Sequence, residues 1–168
     1  AEQAQKFAGE ITVTSRRLEE NIQDVPIAVS VITGELLEDV AATTIRALEG
    51  YVPNLSIYQG RNQGSTLTAF IRGVGQADPL WGVDPGVGLY IDDVYVARAQ
   101  GALLDVYDVA RVEVLRGPQG TLYGRNSTAG AINFINAKPT GELGFKQTVS
   151  VGNFDSWRSY LCMAVVVF

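Results

Sequence analysis

The stretch "RVEVLRGPQGTLYGRNSTAGAINFI", Arg111 to Ile135, sets four glycines (Gly117, Gly120, Gly124 and Gly130) between two strand-like runs. Glycine-rich turns of this kind hold phosphates through backbone amides, with a lysine on the phosphates and a Ser or Thr hydroxyl on magnesium. That chemistry needs Gly-Lys-Ser/Thr, and the corresponding place here reads Gly124-Arg125-Asn126-Ser127, without the lysine. A dinucleotide fingerprint fails as well, because Gly73-Val74-Gly75-Gln76-Ala77-Asp78 lacks the third glycine. A nucleophile elbow would need Gly-x-Ser-x-Gly and a later histidine. The chain contains no histidine at all, which removes Ser-His and Cys-His nucleophiles, histidine zinc sites and the commonest general base.

Carboxylate pairs are the remaining route to acid–base work. The candidates are Asp92 with Asp93, Asp105 with Asp108, and Asp78 with Asp84. Neighbouring residues on a strand point to opposite faces, so Asp92-Asp93 reads as a turn. Asp78 and Asp84 supply too few oxygens for a calcium loop. No catalytic residue, metal ligand or cofactor is therefore assigned.

The elements that would position any site come next. At 168 residues the chain has the length of one domain plus a short appendage. A formal net charge of -5 gives no broad basic footprint, so nucleic acid is not expected as a partner. The single Cys162, set in an apolar run, reads as a buried, inert thiol. No apolar run reaches the roughly 18 residues of a membrane helix. Residues 1–10 lack the basic start and apolar core of a secretion signal, so either the chain is not exported or the signal has been removed.

Residues 1–9 read as a mobile tail, followed by the β-branched Glu10-Ile11-Thr12-Val13-Thr14, which favours extended structure but has no obvious partner nearby. Val25 to Ile32 predicts a strand, and Thr33 caps a helix from Gly34 to Ala41. A second short helix starts at Thr44 and ends at Gly50. Strands are expected at Leu55 to Tyr58, Thr66 to Arg72, Arg111 to Leu115 and Gly130 to Ile135, with a long loop from Gly73 to Gly86. Val87 to Val96 reads as two short strands about Asp92-Asp93, and Gly101 to Tyr107 as a helical turn. Beyond a boundary at Lys138-Pro139-Thr140-Gly141, Phe145 to Val151 and Trp157 to Val167 form two extended runs about the length of tilted barrel strands. The fold class is α+β.

Four stretches carry a resemblance: "ARVEVLRGPQGTLYGRNSTAGAINFI", "IRGVG" at Ile71 to Gly75, "DPGVGLYIDDVYV" at Asp84 to Val96, and "DVPIAVSVI" at Asp24 to Ile32. Together, in the order in which they follow along the chain, they closely resemble the plug domain of TonB-dependent outer-membrane receptors. The resemblance covers residues 10–139 and implies a small mixed β-sheet with short helices. Residues 140–168 then resemble the start of the receptor's own barrel, of roughly 22 strands in that family.

The family's properties follow as expectations. The periplasmic domain of TonB pairs with an extended segment, the TonB box, which Glu10, Ile11, Thr12, Val13 and Thr14 resemble; the same run also reads as the plug's first strand. Small-molecule substrate contacts are expected on loops, at Arg61, Asn62, Gln63, Gln76, Trp81, Arg98 and Gln100, where aromatic, amide and cationic groups could stack and hydrogen-bond, although a solvated loop would look the same. Arg72 and Arg116 match arginines that face barrel carboxylates. Asp93 departs from the family's usual glycine. The implied role is gating and substrate contact in uptake of a siderophore, vitamin or carbohydrate across the outer membrane of a Gram-negative bacterium. With most of the barrel absent, transport by this chain alone is not expected, and a stand-alone soluble plug-fold hydrolase is the alternative. The opening glycines then read as turns in a plug.

Overall fold

The computed structural model describes residues 11–40, 42, 44–59, 66–77, 83–97, 108–138, 144–153 and 155–164. The chain divides into two compact units, Ala1–Asn136 and Ala137–Phe168.

The first unit is built on a five-stranded mixed sheet in the order β3-β9-β10-β7-β8: β3 (Val29–Thr33), β7 (Val87–Ile91), β8 (Val94–Tyr95), β9 (Val109–Arg116) and β10 (Gly130–Asn136). β9 and β10 are antiparallel, with Val114 opposite Ile132, and β10 runs parallel to β7, with Ile132 opposite Leu89. Strand alternation gives the sheet two unlike faces. Ile32, Val112, Val114, Ile132, Phe134, Val87 and Leu89 point to one side and join the main apolar core. Leu115, Ala131 and Tyr90 point to the other, beside the buried polar residues Glu113 and Asn133.

Three further pieces close the apolar side. Helix α1 (Gly34–Asp39) begins where the sequence predicts, with the Thr33 hydroxyl accepting from the Leu36 amide, and buries Leu37. A 3-10 helix (Ile45–Gly50) buries Ile45 and Leu48. A three-stranded antiparallel sheet of β4 (Leu55–Gln59), β5 (Leu67–Ile71) and β6 (Val74–Gly75) supplies Leu55, Ile57, Leu67 and Ile71 to the same core. The mixed sheets and few short helices are the α+β architecture expected of a plug.

Several expected elements change. β3 starts at Val29 rather than Val25; with Pro26 offering no amide, residues 25–28 are an entry segment instead of strand. The long loop after Gly73 opens with β6, which folds back on β5 through a two-residue turn at Arg72 and Gly73, both at positive φ. The compact turn at Gly120 is a single helical turn, α2 (Gly120–Tyr123). Thr12–Val13 (β1) does have a partner, Glu20–Asn21 (β2), in a separate antiparallel pair. The helical turn expected over Gly101 to Tyr107 lies outside the described residues.

Asp92 and Asp93 make the expected turn, with φ of 46° and 66°. Glycine would take this conformation at lower cost. Side-chain bonds compensate: the Asp92 carboxylate accepts from the Asn136 amide at 2.9 Å, and Asp93 accepts from Asn133 Nδ2 at 3.1 Å. The departure from glycine at Asp93 is thus absorbed by a buried asparagine.

The second unit is an antiparallel hairpin of β11 (Gly144–Val151) and β12 (Trp157–Ala164). Its register sets Val151 opposite Trp157, Gln147 opposite Leu161 and Phe145 opposite Met163. Phe145, Val149, Val151, Trp157, Leu161 and Met163 therefore share one face, and all are exposed within this chain. Cys162 lies in β12, with its side chain outside what is described.

Gly130 is the glycine the sheet cannot exchange. Its φ is 152°, and a Cβ there would stand 2.1 Å from the Leu115 carbonyl oxygen, on the neighbouring strand's backbone. Gly130→Ala is expected to destabilise the chain by about 2–4 kcal/mol, read as a lower urea midpoint with an unchanged m value.

Candidate functional site

The polar face of the sheet is the most chemically distinctive place in the described chain. Glu113 sits at the middle of β9 with 0% exposure. One carboxylate oxygen accepts three donors: the Thr14 amide at 2.8 Å, the Thr14 hydroxyl at 3.2 Å and Arg111 Nε at 2.8 Å. Arg111 also donates to the Thr14 hydroxyl at 3.2 Å. A buried carboxylate is costly unless paired and hydrogen-bonded, so Glu113 depends on Thr14 as well as on Arg111 for its place in the sheet.

Residues 11–24 thus lie across this face as a strap. Within it Val13 and Ser15 are fully buried. At its turn Arg17 places its guanidinium 5.7 Å from the centre of the Tyr123 ring, a cation–π contact of about 0.5–2 kcal/mol. Tyr123 stacks edge-on against Tyr90 at 4.9 Å, and the Tyr90 hydroxyl donates to the Tyr123 carbonyl oxygen at 2.8 Å. The polar seam is incompletely satisfied: Ser15 Oγ, Glu20 Oε2, Glu113 Oε2 and Tyr123 Oη are buried without a hydrogen-bond partner among the described residues. Each such group costs about 1–3 kcal/mol relative to its hydrated state.

A second feature is an arginine corner. Arg72 is exposed at the β5–β6 turn with φ of 54°, and Arg116 is half-buried at the end of β9. They belong to one corner, because a Cβ on Gly117 would lie 3.7 Å from Arg72 Nη1. Among the described residues neither guanidinium has a carboxylate partner, and Arg116 Nε is buried unbonded. Arg72 occupies a left-handed position where glycine or asparagine would sit more easily, so local propensity does not account for its presence there. Two adjacent uncompensated cations suit carboxylates supplied from outside the described residues.

The expected loop residues are mostly beyond reach. Arg61, Asn62, Gln63, Trp81, Arg98 and Gln100 lie outside the described residues, as do Glu10, Asp78 and Asp105. Gln76 is half-buried directly after β6. A Cβ on Gly86 would lie 3.3 Å from the Gly75 Cα, so the two ends of the 76–85 segment meet there. Of the carboxylates weighed for chemistry, Asp92 and Asp93 are held in their turn. Asp84 is exposed beside Asn126 Nδ2 at 3.2 Å and Arg125 at 3.9 Å. Among the described residues no two of them form a cleft pair. Reading the sequence missed Glu113, whose partner Thr14 is 99 residues away; the signal available was an acidic residue at the centre of a β-branched strand.

A family model described as the TonB-dependent receptor plug domain matches residues 21–131. The chain belongs to this family. It is 33% identical over 135 residues to the pesticin receptor of Yersinia pestis, covering 79% of this chain and 19% of that protein. It is 27% identical over 161 residues to the vitamin B12 transporter BtuB of Vibrio vulnificus, covering 89% and 25%. Among solved structures, the ferric yersiniabactin uptake receptor FyuA of Yersinia pestis aligns at 30% identity with a TM-score of 0.68, covering 82% of this chain and 21% of that one. All three are named as receptors or a transporter. This plug-family chain spans about a fifth to a quarter of the length of the curated relatives it matches.

The tyrosines of the polar face give a measurable signature. Burial, with the negative charges of Asp93 and Glu113 behind it, pushes the Tyr123 phenol above its ordinary value, while Arg17 pulls it back. Burial first, then Tyr95, raises Tyr90 in the same direction. Both phenols hold their proton more tightly when folded than when unfolded. Their contribution to stability is therefore complete below pH 10, the ordinary tyrosine value, and is lost as pH rises beyond it. The urea midpoint should fall above that pH, and less steeply in Tyr123→Phe. Near neutrality Tyr123→Phe should cost less than about 1 kcal/mol, because the hydroxyl it removes is unpaired.

Proposed function

We propose that this chain is the gating and substrate-contact plug of a TonB-dependent outer-membrane receptor for energy-coupled uptake of a siderophore, vitamin or carbohydrate. The observation that carries the reading is the family match over residues 21–131, which takes in β3, β7, β8, β9 and the start of β10, most of the apolar core and the arginine corner. In this reading the plug sits inside its own barrel in the outer membrane of a Gram-negative bacterium, and the TonB periplasmic domain engages Glu10 to Thr14 from the periplasm. Arg72 and Arg116 face carboxylates of that barrel. Arg61, Asn62, Gln63, Gln76, Trp81, Arg98 and Gln100 offer contacts to the substrate.

The hairpin supports the barrel part of the reading. Its register collects Phe145, Val149, Val151, Trp157, Leu161 and Met163 on one exposed face. The other face carries Lys146, Thr148, Ser150, Arg158 and Tyr160. Apolar outward and polar inward, with an aromatic residue near one end, is the pattern of strands between lipid and a hydrated lumen. The names of the relatives, receptors for pesticin and ferric yersiniabactin and a vitamin B12 transporter, favour a bulky solute over an enzyme substrate.

Strand addition draws its affinity from main-chain hydrogen bonds, and proline removes a donor from the ladder. Titration of the chain with the TonB periplasmic domain is expected to give saturable binding that Val13→Pro weakens by about tenfold or more, the loss of one or two such bonds. Equal affinity of the two proteins would remove residues 10–14 from the partner interface.

A further inference from the structure

We propose that Asn126 is a positioning residue, a clamp that ties together the roots of two segments offered to the solute. The solute half of this inference rests on the reading of Gln76, Trp81, Arg98 and Gln100 given above; the clamp itself rests on geometry alone. One amide nitrogen, Asn126 Nδ2, donates to Asp84 Oδ1 at 3.2 Å and to the Tyr95 hydroxyl at 2.8 Å. The two acceptors lie 42 and 31 residues back along the chain. Asp84 stands three residues after Trp81, and Tyr95 three residues before Arg98. A carboxylate only accepts, so the nitrogen of the amide, with its two hydrogens, is the end that must face it. Arg125, the preceding residue, adds a cation 3.9 Å from the other Asp84 oxygen.

Each part of the clamp is seated on fixed structure. Asn126 takes a φ of 68°, a left-handed conformation that asparagine tolerates and most residues resist. The turn around it is closed by the Ser127 hydroxyl, which donates to the Gly124 carbonyl oxygen at 2.7 Å, and by the Gln119 amide, which donates to the Ser127 carbonyl oxygen at 2.9 Å. Both Ser127 and Gln119 are buried. The Tyr95 ring lies 5.4 Å from that of Tyr90, whose hydroxyl is held by the Tyr123 carbonyl oxygen. Two residues after Asp84, the Gly86 carbonyl oxygen accepts from the Ala129 amide at 2.8 Å. The glycine-rich run therefore does more than turn the chain, because it presents one side chain to two loop roots at once. Asp84 is exposed and Asn126 half-buried, so water can replace their bond at little cost to global stability. What the amide fixes is the spacing of the roots, and a contact surface drawn from two segments works only if that spacing is held.

Amide hydrogen exchange on the full chain tests the clamp without any solute. The Ala129 amide, bonded to Gly86, reports the first root, and the Val96 amide, bonded to the Leu89 carbonyl oxygen, reports the second. Asn126→Gly keeps the left-handed backbone free of strain and deletes only the side chain. Both reporters should then exchange about tenfold faster, the factor for one lost hydrogen bond of typical strength, while residues 112–114 and 131–134 are unchanged. Asn126→Asp sets a carboxylate against Asp84 and should act more strongly. Combining it with Asp84→Asn exchanges donor and acceptor, the Tyr95 hydroxyl then donating instead of accepting, and should return both reporters to the parent rate. Parent rates in Asn126→Gly, equal acceleration of the central strands, or a folded double variant without rescue each overturn the clamp; if Asn126→Asp does not fold, Asn126→Gly decides. In a Trp157→Phe background Trp81 is the only tryptophan. Its emission follows titration with an iron(III) tris-catecholate, a cobalamin and a linear oligosaccharide, one probe for each class of solute in that reading. A probe that binds the parent should bind Asn126→Gly about tenfold more weakly, and equal affinity overturns the positioning role. Binding of no probe to the parent overturns the solute reading of these segments and leaves the clamp standing.

Discussion

One buried carboxylate organises this plug. Glu113 stands at the centre of β9 with no exposure, and its charge must be met by donors. Arg111 meets it from the same strand, two residues away, and Thr14 meets it with both amide and hydroxyl from the other end of the unit. An apolar residue at this position would leave the second face free to pack as a second core. The carboxylate instead fixes the course of the N-terminal segment and makes that segment's seat polar.

The two faces of the sheet then serve different ends. On the first, α1, the 3-10 helix and the β4-β5-β6 sheet bury a continuous set of aliphatic side chains, and this is where the stability of the unit resides. On the second, a small cluster of Tyr90, Leu115, Tyr123 and Ala131 borders a seam of charges, amides and unpaired oxygens. Asn133 joins the two levels of the second face, since it lies in β10 and holds Asp93 in the β7–β8 turn. Strand β9 connects everything: Val112 and Val114 belong to the core, Glu113 to the strap, and Arg116 to the arginine corner.

What could be read from the sequence follows from the range of the forces involved. Strands β4, β5, β9, β10 and the closing hairpin announce themselves by β-branched and aromatic runs, and α1 by Thr33 and the Leu36, Leu37, Val40 spacing, because local propensity and pattern decide them. β2 and β6 were not legible. Glu20–Asn21 has no strand propensity of note and Val74 is a single β-branched residue between Gly73 and Gly75, so each pair is fixed by the partner that tertiary structure brings to it. β3 begins late because Pro26 removes the donor an earlier pairing would need. The one-sided apolar face of the hairpin needed the register, since β11 by itself alternates only weakly and Trp157, Leu161 and Met163 complete the pattern from across the strand pair. At the site, Arg72 and Arg116 were marked by motif, whereas Glu113 was hidden by a sequence separation of 99 that no local window spans.

The residues that break local rules are concentrated where function is proposed. A cation at a left-handed turn position, a second cation with a buried unbonded nitrogen, a carboxylate under a strap and a phenol without an acceptor each lower the stability of an isolated folded chain. In a sequence that otherwise agrees with its fold from cap to core, such exceptions mark demands that the unit's own folding does not set. For Arg72 and Arg116 counter-charge is missing among the described residues, and in the proposed reading a surrounding barrel wall supplies it. For Glu113 the demand is partnership across the sequence: its charge is met by Thr14 of the N-terminal segment, which also seats the fully buried Val13 beside it. The glycine-rich run from Gly117 to Gly130 answers a demand of the other kind, one that the fold itself sets: at Gly130 the backbone of β9 comes so close that a Cβ would meet the Leu115 carbonyl oxygen, so the residue there is dictated by the pairing of β10 with β9.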